Sequence, residues 1–327
     1  MKGKFLKFVI LTLFAAAFCS CEKMTDENSK IDSAKWTKYT TADGLLSDNI
    51  WSAAVDSSSN IWIGTDRGIS KFDGTKWVNF FSYTIAAVAV DINGDIWFGS
   101  LGNGVAKFDG TTWEHFQCDL NSSNSIASNY IRSIAIDSQG NKWFGTETNG
   151  VCRFDGNNWV NYTTNDGLLD DNVYVIAIDK QGNKWFGTYL GVSKFDDTNW
   201  ISYSITGNKS NGIAGTPLGI AIDNENNKWF ATWGGLSKFD DSNWTYYGTE
   251  TEWLKAGSPA LSINIDYKGI KWFGSNGWGI SEFDGTNWKT YTEVNGQGIG
   301  GVNTIIIDKK GNKWFGTNAG LLKLENN

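Results

Sequence analysis

One pattern, complete at residues 163–203, recurs along almost the whole chain and limits what it can fold into. At its centre stands Lys184-Trp185-Phe186-Gly187. The matching tryptophans are Trp62, Trp97, Trp143, Trp185, Trp229, Trp272 and Trp314, spaced 35, 46, 42, 44, 43 and 42 residues apart. Repeats of this length are supersecondary units that bury their apolar faces only by stacking on like neighbours, and a period near 42 residues falls in the range of propeller blades.

Each unit carries four strand signals. The first is an apolar run closing on aspartate, as in Val175-Ile176-Ala177-Ile178-Asp179. A Gly/Asn turn leads to the second, around Trp185-Phe186. A glycine bend leads to the third, Gly191 to Phe195, and an Asp/Asn turn to the fourth, Trp200 to Tyr203. Short runs joined by tight turns make antiparallel hairpins. Both faces read as apolar, which suits a sheet packed between two others. The last repeat stops after its third signal, at Leu321-Leu322-Lys323-Leu324. The missing fourth stands at the other end of the chain, where Lys35-Trp36-Thr37-Lys38-Tyr39-Thr40 matches Asn287-Trp288-Lys289-Thr290-Tyr291-Thr292. The expected fold is therefore all-β: a single seven-bladed β-propeller of four-stranded antiparallel blades over residues 33–327. Segment 33–40 completes the last blade and closes the ring.

The start of the chain reads differently. Lys2, Lys4 and Lys7 precede an apolar run from Phe8 to Phe18 that is short for a membrane span. Residues 1–20 are expected to be an export signal of lipoprotein type. Ser20 stands just before Cys21, the residue expected to be acylated; Cys19 is the weaker choice. Residues 21–32 are too polar to bury a core and read as a flexible tether. A multiply acylated cysteine anchors stably, so the expected location is the cell envelope, as an outer-membrane lipoprotein facing either the periplasm or the surface. The formal charge of −7 is spread without a basic cluster, which argues against nucleic acid as a partner.

Catalytic material is scarce. His115 is the single histidine, on an expected outer strand, so triad and multi-histidine metal schemes lack residues. Asp91, Asp137, Asp179, Asp223, Asp266 and Asp308 sit at hairpin turns without the spacing of a calcium loop, and are expected to accept backbone N–H bonds. The glycines around Gly102 and Gly104 have no dinucleotide-binding context. No metal and no cofactor is expected, and no enzymatic activity. Cys118 falls in a loop and Cys152 in a slot that other repeats fill with Ser or Ala, which argues against a disulfide between them.

The core tryptophans read as packing. Aromatic and charged residues that depart from the repeat are the candidates for binding: Trp51, Arg67, Tyr130, Arg132, Tyr174, Tyr189, Trp233, Trp253 and Trp278, with Glu147 and Lys255 beside them. They fall in the bends between second and third strands and in the connections between blades, which share one face of a propeller. Trp233 and Trp278 stand out because neighbouring repeats carry small or polar residues there. Long connections between blades 2–3, 4–5, 5–6 and 6–7 are expected to enlarge that face.

TTADGLLSDNIWSAAVD at 40–56 and TTNDGLLDDNVYVIAID at 163–179, each followed by Trp-(Ile/Phe)-Gly-Thr and then Gly and Phe-Asp, resemble the two-component regulator propeller repeat. The resemblance spans 33–327, with five repeats keeping only the second half. It implies a sensor-like binding role, since in that family such propellers form periplasmic sensors of hybrid histidine kinases in glycan-using gut bacteria. The acids after Cys21 are similar to export signals of Bacteroidetes surface lipoproteins. No kinase or DNA-binding part is read within residues 1–327, so signalling by this stretch alone is not expected. Virginiamycin B lyase is similar in architecture, but depends on a histidine near the central channel, whereas His115 is expected on the rim. The expected partner is a glycan or oligosaccharide on the loop-rich face of a monomer. The alternative is a protein ligand, with the chain as a scaffold or accessory subunit of an envelope sensing or secretion complex.

Overall fold

The computed structural model describes residues 35–80, 83–205, 212–247 and 259–326. Cys21, the leader and tether, Trp253 and Lys255 lie outside the described residues.

Strand β1 (Trp36–Tyr39) is followed by the first blade: β2 (Ile50–Val55), β3 (Ile61–Thr65), β4 (Gly68–Phe72) and β5 (Trp77–Phe80). These pair in chain order as an antiparallel meander. Five more blades repeat the arrangement. The seventh takes three strands from Val302–Leu324 and its fourth from β1, which pairs antiparallel with Gly320–Leu324 through Trp36↔Leu324 and Tyr39↔Leu321. The inner strands contact one another around the full circle, from β2 through to Val302–Ile307 and back to β2. The seven-bladed closed ring expected from the sequence is thus observed.

Two local devices explain the repeat. At the turn after each inner strand, an aspartate accepts backbone N–H bonds with Oδ1 and a tryptophan indole N–H with Oδ2. Asp56 binds Trp62 at 2.9 Å, Asp137 binds Trp143 at 3.0 Å and Asp308 binds Trp314 at 3.0 Å. The turn role expected for these aspartates holds, and the indole bond is an addition that fixes the six-residue spacing from Asp to Trp. In five blades a lysine from the next blade, buried in four cases and half-buried at Lys271, then covers the ring, as Lys142 covers Trp97 at 5.2 Å while lying 3.2 Å from Asp91. Cation, ring and carboxylate together join adjacent blades.

The glycine after Trp-Phe is the second device. A Cβ on Gly316 would lie 2.5 Å from Ile50 Cγ2 on the next blade, and one on Gly64 would lie 2.6 Å from the Ile85 carbonyl. The inner strand of each following blade presses directly on this position. Blade 5 has Ala231 instead, and the inner strand that follows begins with Ala260 rather than a branched residue; both are fully buried in one cluster.

Candidate functional site

The inner strands do not run evenly. In β2 the ladder passes from Ile50↔Thr65 to Ser52↔Gly64, so Trp51 has no partner. The same shift occurs at the second residue of every inner strand. The first residue is held in the wall between blades, and the bulge then re-aims the next side chain. The seven residues so turned are Trp51, Ala86, Arg132, Tyr174, Leu218, Leu261 and Asn303. All seven, with Leu101, line one cavity of about 190 Å³ at the mouth of the ring.

Its chemistry is mixed. Trp51 and Tyr174 supply aromatic surface, the leucines aliphatic surface, and Arg132 the one charged group of the lining. The Arg132 guanidinium lies 5.1 Å from the Tyr174 ring centre and donates to Glu147 Oε1 at 2.6 Å. Asn303 donates its amide to the Ile50 carbonyl at 2.8 Å, across the closing seam. Both polar side chains are therefore held in place before any ligand arrives.

Around the mouth run the bends between second and third strands. Each is tied to the approach of an inner strand by a backbone bond, such as Tyr189 N–H to Asn172 O and Trp233 N–H to Thr216 O, both 3.1 Å. These bends carry Arg67, Tyr189, Trp233 and Trp278, all exposed. Tyr130 precedes an inner strand and lies beside Gly102. Of the residues singled out from sequence, the structure gathers Trp51, Arg132 and Tyr174 into the mouth. It leaves Arg67, Tyr130, Tyr189, Trp233 and Trp278 outside that lining. Sequence reasoning missed Ala86, Leu101, Leu218, Leu261 and Asn303. Their signal was positional: all but Leu101 stand second in an inner strand.

His115 lies on the outer strand Trp113–Phe116 of blade 2. It borders a second cavity, between blades 1 and 2, and is not among the mouth residues. Cys118 and Cys152 are both free thiols. Among the described residues no cluster of three or more His, Cys, Asp or Glu is arranged to hold a metal ion, and no helix is long and apolar enough to cross a membrane.

A family model for the two-component regulator propeller matches residues 44–67 and 125–148. The first stretch carries the Asp-Gly-Leu resemblance. The second leads into blade 3, where Ser125-Ile126-Ala127-Ser128-Asn129 stands in place of Gly44-Leu45-Leu46-Ser47-Asp48. No curated protein matches the sequence. Among solved structures, the extracellular domain assigned to hybrid two-component system BT3049 of B. thetaiotaomicron is similar over 90% of this chain and 42% of its own, with a TM-score of 0.78 and 18% identity. Virginiamycin B lyase from Staphylococcus aureus is similar over 90% of this chain and 99% of its own, with a TM-score of 0.70 and 15% identity. PorZ, a surface component of the type-IX secretion system of Porphyromonas gingivalis, is similar over 86% and 47%, with a TM-score of 0.67 and 16% identity. At such identities the likeness is one of fold, and the chain spans less than half the length of the sensor domain. The chain is a seven-bladed propeller in which residues 44–67 and 125–148 match the two-component regulator propeller repeat.

Proposed function

We propose that this chain is a non-enzymatic, sensor-type binding domain that takes the end of a glycan or oligosaccharide in the mouth of the ring. The observation that carries this reading is the set of seven bulges, which turn seven side chains of different chemistry onto one spot. A structural role would be served by seven alike. Aromatic faces beside a clamped guanidinium and an amide suit a sugar ring, which stacks through its C–H face and hydrogen-bonds at its edge. A mouth of about 190 Å³ is below the roughly 300–1,000 Å³ of drug-sized sites. It suits one ring-sized group, with later units of a chain lying over the exposed Tyr189, Trp233 and Trp278. Non-catalysis is part of the reading, because the single histidine lies in the other cavity. Cys21 is proposed as the lipid anchor at the envelope.

Glycan-array binding by the full chain, compared with Trp51→Ala and Tyr174→Ala, tests this. Binding lost in both variants with an unchanged melting curve supports the reading. Binding unaffected by both, or no binding on a broad array, sinks it.

The exposed aromatics of the rim favour a second reading, a protein ligand on the same face. Cross-linking to a partner lost in Trp233→Ala and Trp278→Ala, but kept in Trp51→Ala, would favour it.

A further inference from the structure

The cavity between blades 1 and 2 measures about 390 Å³ and is the larger of the two. Its floor is Ile69, Ile85 and Phe98, all buried, with Ala106 and His115 beside them. Four equivalent slots elsewhere in the ring are filled from within. Leu45 fills the slot of Leu321, Ile50 and Ile63. Leu168 fills that of Val151, Val173 and Phe186. Ile126 and Ile213 do the same before blades 3 and 5. In each case the next residue donates its backbone N–H to a side chain on the third strand. Leu46 donates to Ser70 at 3.0 Å, Ala127 to Cys152 at 3.3 Å, Leu169 to Ser193 at 2.9 Å and Ala214 to Ser237 at 3.0 Å. Asn79, across the ladder from Ser70, also holds the Gly44 carbonyl at 3.1 Å.

The connection into blade 2 is shorter. Residues 81–84 join β5 to the strand Ile85–Val90, where residues 40–49 join β1 to β2. Among the described residues no aliphatic side chain plugs this slot. Ala106 stands where blade 1 has Ser70, and His115 faces it across the ladder where blade 1 has Asn79. No charged side chain is among the described lining residues, so a neutral group is matched there.

We infer that this slot receives a leucine-sized side chain from a peptide segment of a partner protein. The segment seats as the chain's own connecting loops do, its aliphatic group on Ile69, Ile85 and Phe98. Rings, phosphates and acidic headgroups do not fit the pattern of the four filled slots, which all take a branched aliphatic group on a peptide main chain. This site is separate from the mouth of the ring, and the two readings fail independently.

The probe is a synthetic peptide copying residues 40–50, with photoreactive leucine at the position of Leu45, irradiated with the full chain. Labelling is expected on the strands that carry Ile69, Phe98 or Ala106. It should fall at least tenfold when an aspartate replaces the probe leucine and in the cavity-filling variants Ala106→Leu and Ala106→Trp, which keep or raise the melting temperature. Using both fillers keeps the test valid if the larger one does not fold. Three results overturn the inference: no labelling in the slot, labelling indifferent to the fillers, or equal labelling by a photoreactive aliphatic acid without a peptide. Labelling that appears only in Phe81→Ala would also overturn it, by making the chain itself the occupant.

Discussion

The guanidinium of Arg132 lies 5.1 Å from the centre of the Tyr174 ring, across the boundary between blades 3 and 4, and is clamped from its own blade by Glu147 at 2.6 Å. Two bulged residues of neighbouring blades thus hold one another in the mouth. The ion pair itself is partly exposed and adds little to stability. Its value is in orientation, since a guanidinium fixed by ring and carboxylate loses less freedom when a ligand binds. Glu147→Gln is expected to weaken ligand binding several-fold while the melting temperature moves by less than about 2 °C, a shift worth about 1 kcal/mol in a chain this size. Titration calorimetry with the best glycan from an array, beside a thermal scan, checks both halves.

The blade-to-blade joint predicts a response to acid. Asp91 is pushed up by burial, but the indole of Trp97, two backbone N–H groups and Lys142 together outweigh this and hold its carboxyl below the usual value. Asp56, Asp137 and Asp223 follow the same balance, with burial opposed by indole, amide and backbone donors. A carboxylate whose folded pKa is depressed stabilises fully above its unfolded value and loses that contribution as pH falls through the folded one. The melting temperature should therefore stay level from neutrality down to about pH 5 and drop steeply below about pH 4, where unfolded aspartates titrate. Asp91→Ala leaves Lys142 and the Trp97 indole buried without their acceptor, at a cost of about 3–5 kcal/mol. Urea unfolding at pH 7 gives the second number. A flat acid limb in the native chain would contradict the first.

Much of this was legible in the sequence, and the reason is the wall between blades. Trp62 and its six counterparts must meet an aspartate six residues earlier and press on a neighbour, so the repeat tolerates little change. The orphan strand at Trp36 revealed the closure for the same reason. The mouth was less legible. Simple alternation along an inner strand does not show that its second residue is turned out of register by a bulge. Ala86, Leu218, Leu261 and Asn303 therefore carry no mark in the sequence of a cavity-lining position. Trp233 and Trp278 were visible as exceptions, but exception alone does not say whether a side chain lines a cavity or stands on its rim. The second cavity had a faint signal, the short interval between Trp62 and Trp97, that means nothing until the neighbouring slots are seen to be plugged by loops.

The close approach of inner strands makes a paired prediction. Gly316→Ala would bring a methyl group to 2.5 Å from both Ile50 and Thr304, an overpacking expected to destabilise by about 1–3 kcal/mol. Ile50→Ala alone leaves a void and costs about 2–5 kcal/mol. The double variant reproduces the Ala231 and Ala260 arrangement of blades 5 and 6, and should be more stable than the sum of the two losses by at least about 0.5 kcal/mol, as expected for residues in contact. A double-mutant cycle in guanidinium measures it. Strict additivity would show that the alanines of blades 5 and 6 are unrelated choices.

Cys152 gives a chemical test of the wall. Its thiol is fully buried, and burial pushes its pKa up to about 12, with an opposing backbone N–H from Ala127. The thiolate is the reactive form, so Cys152 should resist iodoacetamide at pH 8 for as long as the blade stays folded. Mass spectrometry of alkylated peptides is expected to show it unmodified in the native chain and fully modified in denaturant. Rapid labelling without denaturant would mean that blade 3 opens locally.

The closing strand carries the largest prediction. In β1, Tyr39 lies 5.1 Å from Phe72 of blade 1 and 5.9 Å from Trp314, while Trp36 lies 5.4 Å from Tyr291 of blade 6. One short strand thus touches both neighbours of blade 7. Deleting residues 33–40 removes these ring contacts, each worth about 0.5–1.5 kcal/mol beyond buried area, and exposes the edge at Gly320–Leu324. A bare edge is also a template for pairing with another chain. The deletion variant should melt at least about 10 °C lower and elute partly as dimers or larger species. Moving the segment to follow Asn327 through a short flexible linker should restore both melting temperature and monomer elution, because Glu325 already bonds through its backbone N–H to the Lys35 carbonyl at 3.1 Å. If the deletion leaves melting unchanged, β1 is not what closes the ring. If the deletion destabilises but the relocated strand fails to rescue, closure depends on the order in which the chain folds and not only on the completed blade.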